Sequence, residues 1–417
     1  MGVTFANAQV FRQGRWQTED LSIQDGLIVA PQPSFDKVDL KGKLVFPGLI
    51  DVHVHLRDGN LSPKETYKTG AQAALAGRIT TCLVMANGDP ICDGVERVRL
   101  FKAKTKDLPV RLLPIGAVTK GLEGTRLVDF QRMMDAGVVA FSDDGHTLMD
   151  GRLLSEALQW SQLLRFTIIL HEEDRCLSPV TGMNDGRTAL ELGFSASHEV
   201  AESAILVRDL EILENFAPEA RLHVAHVSSP KTLRALHRAQ KDGLNVSCEV
   251  TPHHLYFNED HVRKFSGRSK MAPPLRSEST RQFLWESFKE GGISICATDH
   301  APHTLAQKKQ GFEHCPCGVV GLETAVSTLW TLAQKDLQVF ARAISAMTDG
   351  PAKRFQIDGG SLELGARADV VVFDPDVEWE VRPEKFQSKA KHSPWEGERL
   401  QGKVVETWVQ GEKVFSL

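Results

Sequence analysis

Short apolar runs rich in β-branched residues recur through the middle of the chain. They lie at Leu44–Leu56, Ile79–Ala86, Val110–Val118, Val138–Ser142, Phe166–Leu170, Leu222–Val227, Val246–Val250 and Ile293–Ala297. Runs of this kind, bounded by Gly, Pro and polar clusters, predict buried strands. Most are separated by Ala- and Leu-rich segments with helical spacing, such as Lys64–Ala76, Leu153–Leu164 and Lys231–Lys241. Alternating strand and helix predicts an α/β fold with a parallel sheet and helices outside it. Eight such units over roughly 250 residues have the size of a (β/α)8 TIM barrel. The rhythm stops after the fifth run, and Cys176–Ser197 is expected to be an extended loop over one end of the barrel.

The two ends read differently. Phe5 to Phe11, Leu21 to Val29 and Val38 to Leu44 are short β-like pieces broken by Gly and Pro. Asp369–Asp374 and Val404–Val409 mirror them, and a Gly-Glu-Lys hairpin signal precedes Val414-Phe415. The expectation is one small β-sandwich-like domain built from both termini, residues 1–45 and 351–417. The barrel, residues 46–350, is inserted between them.

The residues just beyond each run carry the chemistry. The first run leads into Asp51-Val52-His53-Val54-His55-Leu56-Arg57, where His53 and His55 share one face because strand side chains alternate. Two hydrogen-bonded histidines at a barrel mouth would also satisfy that spacing, so the pair alone decides nothing. Yet the second run leads to Asn87, the fourth to Asp143-Asp144 and the fifth to His171-Glu172-Glu173-Asp174. The sixth ends in His226, the seventh leads to His253-His254, and the eighth ends in Asp299-His300. The C-terminal strand ends of a (β/α)8 barrel form one face and carry its active site. Metal-type side chains at nearly every one of those ends predict a metal centre there.

His53, His55, His171, His226 and two aspartates exceed what one zinc takes, which is four ligands or three plus water. They suit two metals about 3.5–4 Å apart that share a bridge. The expected arrangement puts His53, His55 and Asp299 on one metal and His171 and His226 on the other. A carboxylate from the fourth strand joins them beside a hydroxide. Asp143 and Asp144 cannot both face the barrel interior, and spacing does not choose between them. His253 and His254 are equally open between ligation and support of the ligands. Two divalent ions outweigh two carboxylates and one hydroxide, so the centre is positive. With Arg57 nearby, it favours an anionic substrate.

A net charge of −5 excludes an electrostatic nucleic-acid binder, and no apolar run reaches the ~20 residues of a membrane span. The first residues, Met1 to Ala8, lack the pattern of a signal peptide. Seven cysteines, an odd number scattered over strands and loops, fit a reduced cytoplasmic protein better than a disulfide framework. In the loop after the eighth run, Gly311, Gly318 and the polar stretch 307–310 predict a Pro302–Gly318 segment that closes over bound substrate.

On these residues the chain resembles the amidohydrolase superfamily and, within it, the dihydroorotase family. The superfamily-like parts are Pro47-Gly48-Leu49-Ile50-Asp51-Val52-His53-Val54-His55 and Leu364-Gly365-Ala366-Arg367-Ala368-Asp369-Val370. More specific are His55-Leu56-Arg57, Phe141-Ser142-Asp143-Asp144-Gly145, Ala225-His226-Val227-Ser228-Ser229 and Glu249-Val250-Thr251-Pro252-His253-His254. Pro273-Pro274-Leu275-Arg276, Thr298-Asp299-His300-Ala301-Pro302-His303, Ser388-Lys389 and Ser393-Pro394-Trp395-Glu396-Gly397 extend the likeness over essentially the whole chain. The resemblance implies a zinc enzyme with two Zn2+ per chain. Its implied reaction is the reversible cyclisation of N-carbamoyl-L-aspartate to L-dihydroorotate in de novo pyrimidine synthesis. The bridge would be Asp144, the second aspartate of its pair, in place of the carbamylated lysine of many amidohydrolases. Asp299 would be the catalytic proton carrier as well as a ligand. Arg57 and Asn87 would hold the substrate carboxylate. His303 and the loop residues Cys317 and Gly318 would complete the substrate site.

Three positions depart from the family pattern: Met85-Ala86-Asn87-Gly88, Ala272 in place of an asparagine, and Cys317-Gly318 in place of Phe-Gly. They bear on substrate and rate rather than on the metals. Two rivals stand beside this reading. One is a cyclic amidohydrolase of the hydantoinase or allantoinase kind, against which Arg57 and the Asp143-Asp144 pair argue. The other is a catalytically silent scaffold for aspartate transcarbamoylase, which would be expected to lack metal ligands that are all filled here. A homodimer is expected, and a partnership with aspartate transcarbamoylase stays open for an active enzyme too.

Overall fold

The computed structural model describes residues 2–58, 62–178 and 182–416. Each of the eight apolar runs contributes one strand to a single parallel sheet. These are β1 (Leu49–Val54), β2 (Ile79–Val84), β3 (Arg111–Gly116), β4 (Ala140–Ser142), β5 (Thr167–Leu170), β6 (Arg221–Val224), β7 (Val246–Val250) and β8 (Ile295–Cys296), neighbours in sequence order. A parallel bridge between Val54 and His300 closes the first strand on the segment after the eighth. With only two residues, β8 makes a short ladder, and side chains reinforce the seam. The buried Asp51 carboxylate accepts the Thr298 N–H at 3.1 Å and the His53 N–H at 3.2 Å, while His55 N donates to His300 O at 2.8 Å. The residues on either side of Asp299 are thereby pinned to the strand that carries His53 and His55.

Inside the barrel, Ile50, Val52, Leu83, Ile115, Ala140, Ile169 and Ile295 pack together, joined by Phe355 and Ile357 from the chain after the last barrel helix. A second and larger apolar cluster joins strands to the surrounding helices, for example Leu153, Leu154, Ala157 and Leu158 of the helix Gly151–Leu164. That helix starts on Asp150, whose side chain accepts two backbone N–H groups at its N-terminus.

The run Leu44–Leu56, expected as one strand, is two. Leu44–Pro47 belongs to the terminal sheet and Leu49–Val54 to the barrel. Gly48 is the switch: a Cβ there would lie 2.2 Å from Thr80 Oγ1, so only glycine lets the chain pass between the two sheets. The terminal sheet runs Glu412–Ser416, Arg399–Val409, Val370–Glu380, Leu44–Pro47, Val3–Arg12, Arg15–Gln24 and Leu27–Val29. Asp36–Asp39 also pairs with Val3–Arg12. Its core includes Phe5, Val10, Leu21, Ile23, Val370 and Val372. Both termini build it, as the sequence predicts.

The segment expected to belong to that domain from residue 351 onward is divided. The helix Asp349–Phe355 serves the barrel floor through Phe355. Residues 386–397 leave the sheet and lie along the barrel, where fully buried Trp395 packs with Phe257, Leu275 and Val319. His392 Nε2 donates to His303 O at 3.0 Å, and Ser388 Oγ donates to the Glu65 carboxylate. The stretch Cys176–Ser197 contains the short helix Arg187–Leu192, whose Ala189 packs with Met183, Val262 and Phe312. Positions 179–181 of that expected loop lie outside the described residues. No helix among the described residues is long and apolar enough to cross a membrane, and all seven cysteines are thiols.

Candidate active site

The C-terminal ends of β1, β4, β5, β6 and β8 bring six side chains to one point. His53 Nε2 lies 3.2 Å from His55 Nε2, and Asp299 Oδ1 lies 3.1 Å from His55 Nε2 and 3.5 Å from His53 Nε2. Beside this triad, Asp144 Oδ1 is 3.4 Å from His53 Nε2, 3.5 Å from His226 Nε2 and 3.6 Å from His171 Nδ1. The other carboxylate oxygen of Asp144 is 3.3 Å from His55 Nε2, and His171 Nδ1 is 3.0 Å from His226 Nε2. All six residues are buried. His226 (φ 32°) and Asp299 (φ 44°), with neighbouring Arg57 (φ 54°), hold left-handed backbone that side-chain-bearing residues avoid. Such strain persists where surrounding contacts over-determine it, and here it turns each side chain into the mouth.

These contacts settle the choice left open in the aspartate pair. Asp143 turns away: its carboxylate accepts the N–H groups of Val118 at 2.8 Å and Thr119 at 3.1 Å and the Thr119 hydroxyl. Asp144 faces the cluster. The histidine pair after β7 lies on the short helix Pro252–Tyr256. His254 is tied to Thr251 Oγ1 at 2.7 Å and Pro273 O at 3.0 Å. His253 is fully buried, and burial pushes its imidazole down to about 4, so it is neutral.

One functional side chain has no assigned role in the sequence reading. Glu249, in the middle of β7, accepts from His53 Nδ1 at 2.6 Å and from His223 Nε2 at 3.0 Å. It thereby holds the His53 Nδ1–H and turns Nε2 toward the cluster. Burial would raise its carboxyl, but His53 and His223 bring it down to about 2. The available signal was an acid inside the otherwise apolar run Val246-Ser247-Cys248-Glu249-Val250, because a buried carboxylate needs partners. Glu173 plays a similar part, with Oε2 at 3.4 Å from His171 Nε2. Glu249→Gln is expected to lower metal affinity about 10–100-fold with the fold retained, read by competition with a chelating dye.

The electrostatics point to cations at this centre. Burial would raise Asp144 and Asp299, yet imidazoles hold both below the ordinary carboxylate range: His53, His171 and His226 around Asp144, and His53, His55 and His226 around Asp299. Burial would depress His53, yet Asp144, Glu249 and Asp299 lift it well above its usual value. Asp144 Oδ1 is buried without a hydrogen bond although three imidazole nitrogens surround it. Donors about 2.0–2.1 Å from a tetrahedral zinc lie roughly 3.3 Å from one another. The separations of 3.1, 3.2 and 3.5 Å within His53, His55 and Asp299 match that edge, and those of 3.0, 3.5 and 3.6 Å within His171, His226 and Asp144 are close to it. The residues present therefore fit divalent metal ions.

Beside the cluster is a cationic wall. Arg57 is largely buried, its Nε has no partner among the described residues, and its charge bears on Asp299 and Asp144. Asn87 is committed beneath it. Its Oδ1 accepts from His55 Nδ1 at 2.8 Å, and its amide donates to Asp144 O at 3.2 Å, which leaves one amide hydrogen. His303 donates from Nε2 to Cys317 O at 2.8 Å, which leaves Nδ1 as a bare acceptor. Burial, Arg57, Lys64 and Lys308 push His303 down to about 2, so it is neutral. The polar backbone of Gly318 is used inside the protein, with its N–H on Lys270 O at 3.0 Å and its O on Lys308 Nζ at 2.8 Å. Lys308 also donates to Lys270 O and Pro316 O, and Lys270 Nζ to Phe312 O and Glu313 O. The Pro302–Gly318 segment expected to close over substrate is thus stitched at its 312–318 end by two lysines. Cys317 and Gly318 act first as the seat of His303.

Two family models match the chain, "Dihydro-orotase-like" over residues 42–232 and "Amidohydrolase family" over residues 193–414. Among curated proteins, the chain is 37% identical over 399 residues to a dihydroorotase of Clostridium acetobutylicum, covering 95% of this chain and 92% of that one. It is 39% identical over 380 residues to a dihydroorotase of Clostridioides difficile, covering 91% and 89%. Among solved structures, an L-hydantoinase (dihydropyrimidinase) from Arthrobacter aurescens superposes with a TM-score of 0.89 at 26% identity, covering 99% of this chain and 96% of that one. A dihydropyrimidinase from Brevibacillus agri, at 19% identity and a TM-score of 0.85 over 100% and 95% of the two chains, shares the fold.

Proposed function

Because the chain belongs to the dihydroorotase family of amidohydrolases, we propose that it interconverts N-carbamoyl-L-aspartate and L-dihydroorotate at the His/Asp cluster of its barrel mouth. The observation that carries the site assignment is the convergence of six donors at metal-ligand spacing beside Arg57. The family is metal-dependent. His53, His55 and Asp299 would hold one zinc ion and His171 and His226 a second, with Asp144 lying between the two groups. When bound, the metals activate water near neutrality and polarise the ring amide carbonyl.

The chain's own groups do the rest. In hydrolysis, the Asp299 carboxylate takes the proton released as water adds and delivers it to the departing ring nitrogen. Arg57 takes the substrate carboxylate through its guanidinium fork. The remaining Asn87 amide hydrogen is assigned to the same carboxylate. The bare Nδ1 of His303 accepts an N–H of the ring. Glu249 keeps His53 aimed. Cyclisation runs the same transfers in reverse.

The test is zinc content together with dihydroorotate hydrolysis, before and after chelation. Two zinc ions per chain, activity lost on chelation and activity regained with zinc are the expected results. A chain that purifies without metal and turns over no dihydroorotate would sink the proposal in favour of a silent scaffold. Turnover of hydantoin with none of dihydroorotate would favour the rival cyclic amidohydrolase. Gel filtration with and without aspartate transcarbamoylase reads the expected homodimer and that partnership.

A further inference from the structure

A second cavity lies where the terminal sheet meets the barrel. It has a volume of about 430 Å³, within the range of small-molecule sites, and shares no residue with the site above. Its wall includes four cations, Arg78, Arg382, Lys385 and Lys403, and the aromatic rings of Trp379 and Phe386. Arg382 pairs with Glu380, while among the described residues Arg78, Lys385 and Lys403 have no carboxylate at ion-pair distance. Arg78 is only 4% exposed, a degree of burial at which a guanidinium normally needs full pairing. Two of its nitrogens donate to the carbonyls of Leu75 at 3.0 Å and Val404 at 2.9 Å, and its plane lies 4.1 Å from the Phe415 ring. Its Nε is left without a partner among the described residues.

The acids of the cavity are spent elsewhere. Glu323 accepts the backbone N–H groups of Gln387 and Ser388, both at 3.0 Å, and burial pushes its carboxyl up to about 7. Glu380 pairs with Arg382 at 3.2 Å. Lys403 shows the result: burial, then Arg78 and Lys385, depress its ammonium. Among the described residues Arg78, Lys385 and Lys403 therefore lie together with no carboxylate paired to any of them, and the wall carries more positive than negative groups.

We propose that this cavity binds a phosphorylated nucleoside, its phosphate against Lys403, Lys385 and the Nε–H of Arg78 and its base against Trp379 and Phe386. A phosphomonoester carries about −1.5 to −2 charges at neutral pH and three strong acceptor oxygens, which suits a cluster of cations better than a single carboxylate does. The adjoining rings offer a planar base a stacking surface. The cation over the Trp379 ring, Lys403 Nζ at 5.4 Å, places the charged and aromatic halves of the cavity side by side.

The experiment is isothermal titration calorimetry of the full-length, metal-loaded protein with UMP, AMP, uridine and inorganic phosphate. The expected result is one nucleotide per chain, bound about tenfold or more tightly than either uridine or inorganic phosphate. Lys403→Glu and Lys385→Ala should each weaken the nucleotide about tenfold or more while dihydroorotate hydrolysis and thermal unfolding stay unchanged. Asp299→Ala should leave nucleotide binding intact. No nucleotide heat at millimolar concentration, equal affinity for inorganic phosphate, or nucleotide binding that survives both lysine substitutions would overturn the proposal. So would binding that dihydroorotate displaces competitively, which would place the nucleotide in the active site.

Discussion

Asp299→Asn is expected to lower dihydroorotate turnover by about 10⁴-fold, the upper end of what a positioned proton carrier contributes. The substitution keeps the shape and one oxygen at the position 3.1 Å from His55 Nε2, so the triad can still close. It removes the carboxylate that holds a proton between attacking water and leaving nitrogen. The backbone should not notice. Thr298 and His300, on either side, are pinned by Asp51 and His55, and the left-handed φ of 44° suits Asn at least as well as Asp. The loss should therefore fall on kcat with little change in KM, and the thermal unfolding midpoint should stay within a few degrees of the parent. Turnover within about tenfold of the parent, with metal retained, would remove Asp299 from the proton path.

The barrel was legible because each strand is an apolar run and nearly every one ends in a polar, chemistry-bearing residue. Periodicity reports burial, and the C-terminal ends of barrel strands are where burial stops. His53, His55, His171, His226 and Asp299 were readable for the same reason, and the structure brings all five together with Asp144. What stayed hidden depends on contacts distant in sequence. The choice between Asp143 and Asp144 rests on Thr119, a residue of another strand's loop. The role of Glu249 needs its partners His53 and His223 on two other strands. The run Leu44–Leu56 looked like one strand because apolar patterning is the same in both sheets it serves; only the approach of Thr80 to Gly48 shows the break. Residues 386–397 carry no regular period, so their seat against Phe257 and His303 could be found only in three dimensions.

Arg57→Gln should separate the dihydroorotase reading from its hydantoinase-type rival. Dihydroorotate carries a carboxylate outside the scissile ring, and hydantoin and dihydrouracil do not. A hydrogen bond to a charged group contributes about 1.5–3 kcal/mol net, so loss of a two-pronged pair is worth roughly 3–6 kcal/mol. At about 1.4 kcal/mol per decade, kcat/KM for dihydroorotate should fall about 10²–10⁴-fold. Glutamine keeps the backbone demand unchanged, since both residues meet the same φ of 54°. It also removes a positive charge that now bears on Asp299, Asp144 and His303 without pairing to any of them. A neutral cyclic amide uses none of that charge, so its slow turnover should hold steady. The prediction is thus a collapse of selectivity rather than of catalysis. Equal losses on charged and neutral rings would instead make Arg57 a support of the metal cluster and leave the substrate carboxylate without its assigned partner.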